Sequence, residues 1–435
     1  MARGVTRVLG VDPGTQSIKV VELQQTAHGI ALVRLPVILP TPEKAIDGGQ
    51  VSDPNAVAAA LREALRIGHF TSKKAIVSVA GDPMVIVRVT EMARLSGRDL
   101  EDAVKFEIGR HSQFGIEDLY YDYDILQPKD APPDAQKMEV LLAAAHEEVV
   151  NNTVNALVRA KLEPVGVDVQ PLALSRAALQ SVGPQGFDQT ICCLHVGATA
   201  TAIIMVRKGL TNFIRFLPQS SEAMTVAIRR AGVGDALKAE AVKRALSDVS
   251  VLAGFEGVEE GSVFEVSESS VVEGAGEEPE EATLLDIEQP IPEEAEAPAT
   301  PRPTSHIAPS AMPGKTEEER QAADALAAAL EQPVADLATE LRRSIDFYRR
   351  QHRNEPVDRV VLSGGGALLR GLAELLAAET GIRCELANPF TGMLLPDESD
   401  DLRKYLAETG PLLTVATGLA LRDMIQTPVT AGGQA

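Results

Sequence analysis

Residues 8–21 combine an apolar strand, a tight turn with one carboxylate, and a second apolar strand. Gly10 and Gly14 would let the backbone approach a ligand closely, Asp12 could hold a magnesium ion through water, and Lys19 offers a positive charge. The turn also supplies hydrogen-bond donors, namely Thr15, Gln16 and Ser17. Each part suits a phosphate group. Taken alone the stretch is weak evidence, because Asp-Pro-Gly is also an ordinary turn sequence.

A second copy of this pattern strengthens the interpretation. Residues 194–204 align without a gap on residues 11–21, so that Gly197 falls on Gly14 and His195 falls on Asp12. In the same alignment Ala198 and Thr199 take the places of Thr15 and Gln16. Internal repeats indicate repeated structural units. Two similar hairpins, one opening each half of the chain, predict a pair of turns that grip a polyphosphate from both sides.

A glycine loop near the C-terminus supports the pair. Residues 360–362 form a short apolar run, the loop Gly364, Gly365 and Gly366 has no side chains, and apolar residues at helical spacing predict a helix over 367–379. A flat ring such as adenine could lie on such a loop. Together the three elements resemble the phosphate-1, phosphate-2 and adenosine motifs of the superfamily of actin, Hsp70 and sugar-kinase ATPases.

Composition indicates a globular chain with a charged insert. The 435 residues should hold two or more lobes, and a hydrophobic fraction of 45% with a mean hydropathy of +0.00 is that of a soluble protein. No apolar run is long enough for a membrane helix and no signal peptide is evident, so we expect a cytoplasmic protein. The net charge of −21 argues against nucleic-acid binding. About 15 carboxylates and no Lys or Arg fall within residues 256–296, a pattern typical of a disordered segment.

The order of the predicted elements divides the chain into lobes. We expect a first lobe that is interrupted by an inserted strand, helix, strand, strand unit, and a second lobe that carries a smaller helical subdomain and the acidic insert. Helices are expected from residue 317 with a new start at 333, and over 412–424 at the end. The expected boundaries are 1–83 and 164–189 for the first lobe, 84–163 for its inserted subdomain, 190–219 and 336–426 for the second lobe, 220–253 and 317–335 for the smaller subdomain, 254–316 for the disordered insert, and 427–435 for a flexible tail.

The chain from Arg7 to Met424, without the acidic insert, resembles the PilM family of type IV pilus assembly proteins, actin-like relatives of the cell-division protein FtsA. Three stretches carry this resemblance in order and spacing: residues 10–23; residues 102–108 with 121–124; and residues 344–348 before the loop 362–366. The resemblance implies an α/β actin-like ATPase fold of duplicated RNase H-like lobes, with a 1C (SHS2-like) subdomain inserted in the first.

The resemblance also implies ligands and partners. ATP with Mg²⁺ is expected in the cleft, and the cytoplasmic N-terminal peptide of the membrane protein PilN is expected along lobe one and its insert, as an extended segment in a groove. Other pilus platform proteins and motor components are further expected partners, in a system that drives twitching motility. Attachment to the inner face of the membrane would be indirect. A second copy of the chain is a further candidate partner, in a homo-oligomer.

Site residues follow from the same resemblance, motif by motif. Asp12 would position magnesium, while Gly10, Gly14 to Ser17 and Lys19 would surround the phosphates. The remaining implied contacts are Gly197, Ala198 and Thr199 for the phosphates from the other lobe, Glu240 and Lys243 for the ribose and adenine, Gly364, Gly365 and Gly366 for the purine, and Gln170 for orienting water.

His195 departs from the family pattern. Actin-like ATPases usually have Asp at this point, and an imidazole is a poor substitute for a carboxylate around a hard magnesium ion. We therefore predict nucleotide binding with slow hydrolysis or none.

Two alternatives remain. A small-molecule kinase of this fold would need a catalytic Asp, for which Asp168 is the candidate. A membrane-tethered, FtsA-like filament would need a terminal amphipathic helix, which residues 427–435 cannot form.

Overall fold

The structure is a computed structural model that describes residues 7–81, 83–126, 136–232, 239 and 317–425, of which 317–327 by backbone only. The chain divides into two compact units, Met1–Val249 with Ala328–Ala435, and Ser250–Ala327. Of the second unit, only the helical residues 317–327 are described. The expected acidic insert, residues 233–238 and 240–253 of the expected smaller subdomain, and the tail lie outside the described residues. The account below concerns the first unit.

The described strands and helices alternate in the way expected for two α/β lobes. The strands are β1 Arg7–Pro13, β2 Ser17–Thr26, β3 Gly29–Leu32, β4 Val37–Pro40, β5 Ile46–Asp47, β6 Gln50–Val51, β7 Lys74–Val79, β8 Val85–Ala93, β9 Leu119–Leu126, β10 Lys137–His146, β11 Glu163–Val169, β12 Thr190–Val196, β13 Thr201–Arg207, β14 Leu210–Leu217, β15 Arg359–Ser363 and β16 Cys384–Leu386. The helices are α1 Pro54–Gly68, α2 Gly97–His111, α3 Glu147–Arg159, α4 Gln170–Val182, α5 Ser221–Arg230, α6 Glu317–Gln351, α7 Leu372–Thr380 and α8 Asp400–Ala420.

Two large sheets have the same topology. The first has the order β11-β7-β1-β2-β3, with β4 also paired to β2, and the second has the order β14-β13-β12-β15-β16. In each, a strand pairs antiparallel with the next strand of its hairpin and parallel with a strand that follows a helical crossover. Asp12 pairs with Lys19 across the first hairpin, and His195 pairs with Ala202 across the second. The register therefore reproduces the gap-free repeat predicted from the sequence.

The inserted subdomain is a separate antiparallel sheet of order β8-β10-β9, covered by α2. Leu100, Val104 and Ile108 of α2 are buried against it, as their spacing predicts. The opposite face of the sheet contributes Val87 and Leu141 to a core shared with both lobes. The unit thus folds on its own sheet while it packs firmly on the rest of the chain.

Helix α8 packs between the two large sheets at backbone distance. A Cβ on Gly10 of β1 would lie 1.8 Å from the carbonyl oxygen of Ala416, and a Cβ on Gly418 would lie 1.8 Å from that of Ala173 in α4. These glycines let α8 pass directly against β1 and α4. The surrounding cluster of buried apolar residues draws on both lobes.

Several helix boundaries differ from the predictions. The last helix begins at Asp400, capped by Ser399, and not at 412, because Pro411 lies inside it and not at its first turn. Helix α6 likewise continues through Pro333, where a restart was expected. The helix predicted over 367–379 is a 3₁₀ turn, Gly365–Leu368, followed by α7 after Gly371, whose φ of +79° breaks the helix.

Helix α4 was missed altogether, because it is apolar around most of its surface and shows no clear helical period. Helix α1 begins at Pro54 after its Asp53 cap, whose side chain accepts hydrogen bonds from the backbone amides of Asn55 and Ala56. In the described part of the chain, no helix combines the length and apolar character that crossing a membrane requires.

The α8 contact gives a stability prediction. Replacing Gly418 with Ala places a methyl group on the carbonyl of Ala173. We expect the free energy of unfolding to fall by about 3 kcal/mol or more, the upper end of the range for overpacking, because the clash is with backbone. Gly109, in α2, is the matched control, because its Cβ would meet open space. G109A should stabilise by roughly 0.5–1 kcal/mol. Urea unfolding of the two variants measures the difference, and equal midpoints would contradict the packing described.

Candidate functional site

The first hairpin turn, residues 14–17, is held by a network around Asp12 and Thr41. The amide of Gly14 donates to the carbonyl oxygen of Ser17 at 3.1 Å, and Thr41 closes the turn from β4's end by donating its amide to Gln16 O at 3.1 Å and its hydroxyl to Gly14 O at 2.6 Å. Sequence reasoning missed Thr41, because only the strand pairing brings it to the turn.

Asp12 and Lys19 are bonded to each other. Asp12 is 4% exposed, and the Lys19 Nζ to Asp12 Oδ2 distance is 3.0 Å. Nζ of Lys19 also donates to the carbonyl oxygen of Ser17 at 3.1 Å. Lys19 therefore neutralises and orients the Asp12 carboxylate. Its ammonium group is engaged within the hairpin and is not free for a ligand alone. Gln16 is exposed at the tip of the turn.

The second turn, residues 197–200, repeats the geometry of the first. The amide of Gly197 donates to Ala200 O at 3.0 Å, the same bond in the same register as Gly14 to Ser17. Helix α5 begins directly on this turn, because the amides of Ser221 and Glu222 donate to the carbonyl oxygens of Gly197 and Ala198 at 2.9 and 3.1 Å. Sequence reasoning did not foresee this attachment. Thr199 is exposed at the tip of the turn.

His195 stands where the first turn has Asp12, and it connects the second turn to the glycine loop. Its Nδ1 lies 3.0 Å from Oγ of Ser363, which is fully buried. Burial lowers the pKa of His195 to about 4; the charge of Asp12 opposes this shift and that of Lys19 adds to it. The imidazole is therefore neutral at physiological pH. Since Asp12 and Lys19 of the first hairpin act on His195 of the second, the two turns share one electrostatic environment.

The glycine loop packs tightly on the second hairpin. Gly364 has a φ of +84°, and a Cβ there would lie 2.4 Å from Val196 O. A Cβ on Gly366 would lie 2.3 Å from the side chain of Val196. Both glycines are thus required by this packing whether or not a ring binds there. Gly365 is exposed and leaves an open surface on the loop.

Two predicted residues have structural explanations. Gly10 faces the backbone of α8 and not the space between the turns, so we remove it from the proposed phosphate site. Asp168 forms a buried ion pair with Arg176 and accepts a hydrogen bond from the amide of Val169, which leaves it poorly placed as a catalytic base.

The other candidate residues lie elsewhere. Gln170 is half-buried in the first turn of α4. Glu240 and Lys243 lie outside the described residues.

The protein side chains at this site could supply only a few of the ligands of a magnesium ion. Among the described side chains, no group of three His, Cys, Asp or Glu residues clusters to form a metal site. Asp12 offers one carboxylate, half engaged by Lys19, and His195 offers a neutral ring. Such a donor set suits an ion that is held mainly by phosphate oxygens and water, as Mg²⁺ commonly is.

The fold and the site define a protein of the actin-like ATPase class, with two lobes of the same topology. The glycine loop packs on the second hairpin, and the charges of Asp12 and Lys19 in the first hairpin act on His195 in the second. A family model described as "Type IV pilus assembly protein PilM" matches residues 10–247 and 315–424. The chain therefore belongs to the PilM family of type IV pilus assembly proteins. The fold class and the family predicted from the sequence are confirmed.

Known proteins give the same result. Over 97% of its length the chain is similar to 99% of a chain in the "PilM-PilN type IV pilus biogenesis complex", with 26% identity and a TM-score of 0.69. It is also similar to the cell division protein FtsA of Bacillus subtilis (strain 168), at 23% identity over 280 residues, which are 60% of this chain. That match spans 61% of the length of FtsA.

The neutral His195 predicts a pH dependence of stability. The unfolded chain protonates this ring below about pH 6.5, whereas the folded chain resists protonation down to about pH 4. Between these values the unfolded state binds more protons, so the stability is fully present above pH 6.5 and is lost as the pH falls toward 4. The loss amounts to up to about 3 kcal/mol.

The measurement is urea unfolding of wild type and H195Q at pH 7 and pH 4.5. H195Q should lose less stability than wild type between the two values, and H28Q, at an exposed histidine, should behave as wild type. An NMR titration of the His195 ring with a midpoint near 6.5 would refute the prediction.

Proposed function

We propose that the chain binds ATP with Mg²⁺ between the two hairpin turns and acts as a cytoplasmic scaffold of type IV pilus assembly. The observation that carries the nucleotide site is the pair of equivalent turns in one electrostatic environment, where Asp12 and Lys19 influence the pKa of His195. In each turn, the amide of the glycine, Gly14 or Gly197, already donates the hydrogen bond that closes the turn. The amides and hydroxyls that remain at residues 15–17 and 198–199 are the expected phosphate donors.

The side chains at the two turns have different proposed roles in holding the nucleotide and its magnesium ion. Lys19 holds the Asp12 carboxylate in place for a hydrated magnesium ion, and that ion would supply charge neutralisation of the phosphates when bound. Ser363 fixes the ring of His195, which can offer one neutral N–H toward the phosphates but no negative charge. Because a second carboxylate is missing, we propose that hydrolysis is slow or absent. Gln170 stays a proposal as the water-orienting residue, as do Glu240 and Lys243 for the nucleoside.

The kinase alternative has less support. Its candidate base, Asp168, is committed to Arg176, whose Nε also donates to the carbonyl oxygen of Gly418 at 2.9 Å. The ion pair thereby links β11 and α4 to α8. We therefore assign Asp168 a role in stabilising the fold and not in catalysis.

The scaffold role draws on family membership and on the inserted subdomain. We propose that the N-terminal cytoplasmic peptide of PilN binds in an extended form along lobe one and the insert, so that the protein reaches the membrane through its partner. Two strands offer backbone for such pairing, because β11 and β9 each lie at the end of their sheet among the described strands. Tyr120 on β9 and Val165 on β11 are 54% and 37% exposed. Strand addition at a sheet edge is a common mode of peptide recognition.

The nucleotide site is tested by ATP titration of D12N. Removing the carboxylate charge should abolish the gain in affinity that Mg²⁺ gives to wild type, and should weaken Mg-ATP binding about tenfold, or ~1.4 kcal/mol. D47N, at an exposed carboxylate of β5, should retain wild-type binding. Unchanged Mg²⁺ dependence in D12N would remove the proposed role of Asp12, and a folded wild type that ignores ATP would remove the nucleotide site. Phosphate release followed in the same samples should stay well below about 1 per second, the low end of ordinary turnover.

The peptide site is tested by hydrogen exchange. A synthetic peptide of the PilN cytoplasmic N-terminus should protect backbone amides of β9 or β11, with and without ATP, while a scrambled peptide should protect neither. Protection confined to lobe two would place the partner elsewhere and contradict the proposed groove.

A further inference from the structure

A cavity of about 130 Å³ lies beneath the second hairpin, between β13, the start of α5 and helix α6. Its lining includes Thr201, which is 0% exposed, and Gln219, while Gln332 and Asp336 stand at its exposed mouth on α6. Nothing in the proposed nucleotide site uses these four residues.

Two oxygen atoms of this lining lack a partner. Within the described part of the chain, Oγ1 of Thr201 and Oε1 of Gln219 are shielded from solvent and make no hydrogen bond. A buried polar group without a partner destabilises a folded chain, so two in one cavity point to a small polar molecule as their partner. The cavity is also large enough, since an engineered cavity of about 150 Å³ holds a molecule of benzene's size.

The remaining groups favour a neutral or positively charged group over an anion. The first amides of α5 are already used, because Ser221 and Glu222 donate to the second turn and Ala223 donates to Oγ of Ser220 at 3.4 Å. What the cavity offers instead is oxygen: the amide oxygen of Gln219, the hydroxyl of Thr201 and the carboxylate of Asp336. Among the described residues, Nε2 of Gln332 donates to Oδ1 of that carboxylate at 2.7 Å, and no bond to Oδ2 is seen.

The positions of these oxygens define the ligand. One hydroxyl group could donate to Gln219 and accept from Thr201 in the enclosed part, where an unpaired charge would be strongly disfavoured. A positive charge is favoured only at the mouth, beside Asp336. The walls between them are apolar, formed by side chains such as Met224 and Leu337. We propose that this cavity is a binding site for a short aliphatic amino alcohol, with its hydroxyl inside and its ammonium group at Asp336.

The site lies directly behind the turn that the nucleotide is proposed to contact. Thr201 is the first residue of β13 after that turn, and α5 is bonded to the turn through two amides. The inference does not depend on nucleotide binding, and the experiment separates the two by using the chain without ATP as well as with it.

The test uses 4-amino-1-butanol as a probe in saturation-transfer NMR with the full chain. We expect transfer to its methylene groups, weaker binding of 1-pentanol, which lacks the charge, and no binding of 4-hydroxybutyrate, which carries the opposite charge. Saturating ATP should not displace the probe. Absence of transfer, equal binding of 1-pentanol, or displacement by ATP would each overturn the proposal, the last because the cavity would then belong to the nucleotide site.

Variants locate the probe. T201V replaces the hydroxyl with a methyl group of similar size, and D336N removes the charge at the exposed mouth; each should weaken probe binding about tenfold, or ~1.4 kcal/mol. E331Q changes an exposed carboxylate of the same helix that does not line the cavity and should bind the probe as wild type does. Since Asp336 is exposed, D336N keeps the test decisive even if T201V does not fold. Wild-type affinity in D336N would overturn the proposed orientation and the site with it.

Discussion

The approach of α8 to β1 and α4 is the contact on which the rest of the structure depends. At Gly10 and Gly418 the backbones meet with no side chain between them. No other residue type permits this distance, so the two large sheets can share a single apolar core that runs through α8. The ion pair of Asp168 and Arg176, bonded to the carbonyl oxygen of Gly418, fixes the same crossing from the polar side. The crossing therefore joins the two lobes that carry the hairpin turns.

The two hairpin turns share a backbone geometry but differ in their anchoring and in their side chains. They keep the same closing hydrogen bond and the same strand register, but one is anchored by a strand end through Thr41 and the other by the start of a helix. The first carries a paired carboxylate, and the second a neutral imidazole tied to Ser363. The backbone of the repeat is therefore conserved between the lobes more closely than its chemistry.

Much of the fold could be predicted from the sequence, and the reasons for the failures are physical. The repeat of residues 11–21 in 194–204 predicted the two hairpins and their common register, because hairpin registers and short strands are encoded locally. Helix α4 was not recognisable, since it is buried on most sides and its helical period is hidden. The true start of α8 was missed because Pro411 suggests the first turn of a helix, whereas it lies inside this one. Gly10 was assigned to a ligand because a sequence shows that a close approach is needed but not what approaches. Thr41 and the bond between His195 and Ser363 depend on contacts between distant residues, which no local pattern reveals.

The compensation of Asp12 by Lys19, beside an uncharged His195, leaves these three side chains with no net charge. The chain as a whole carries −21. An incoming polyanion would therefore meet no net attraction from this trio, and its capture would rest on short-range hydrogen bonds from the turns. The rate of encounter should then depend only weakly on added salt, unlike that of proteins that steer their ligands by charge.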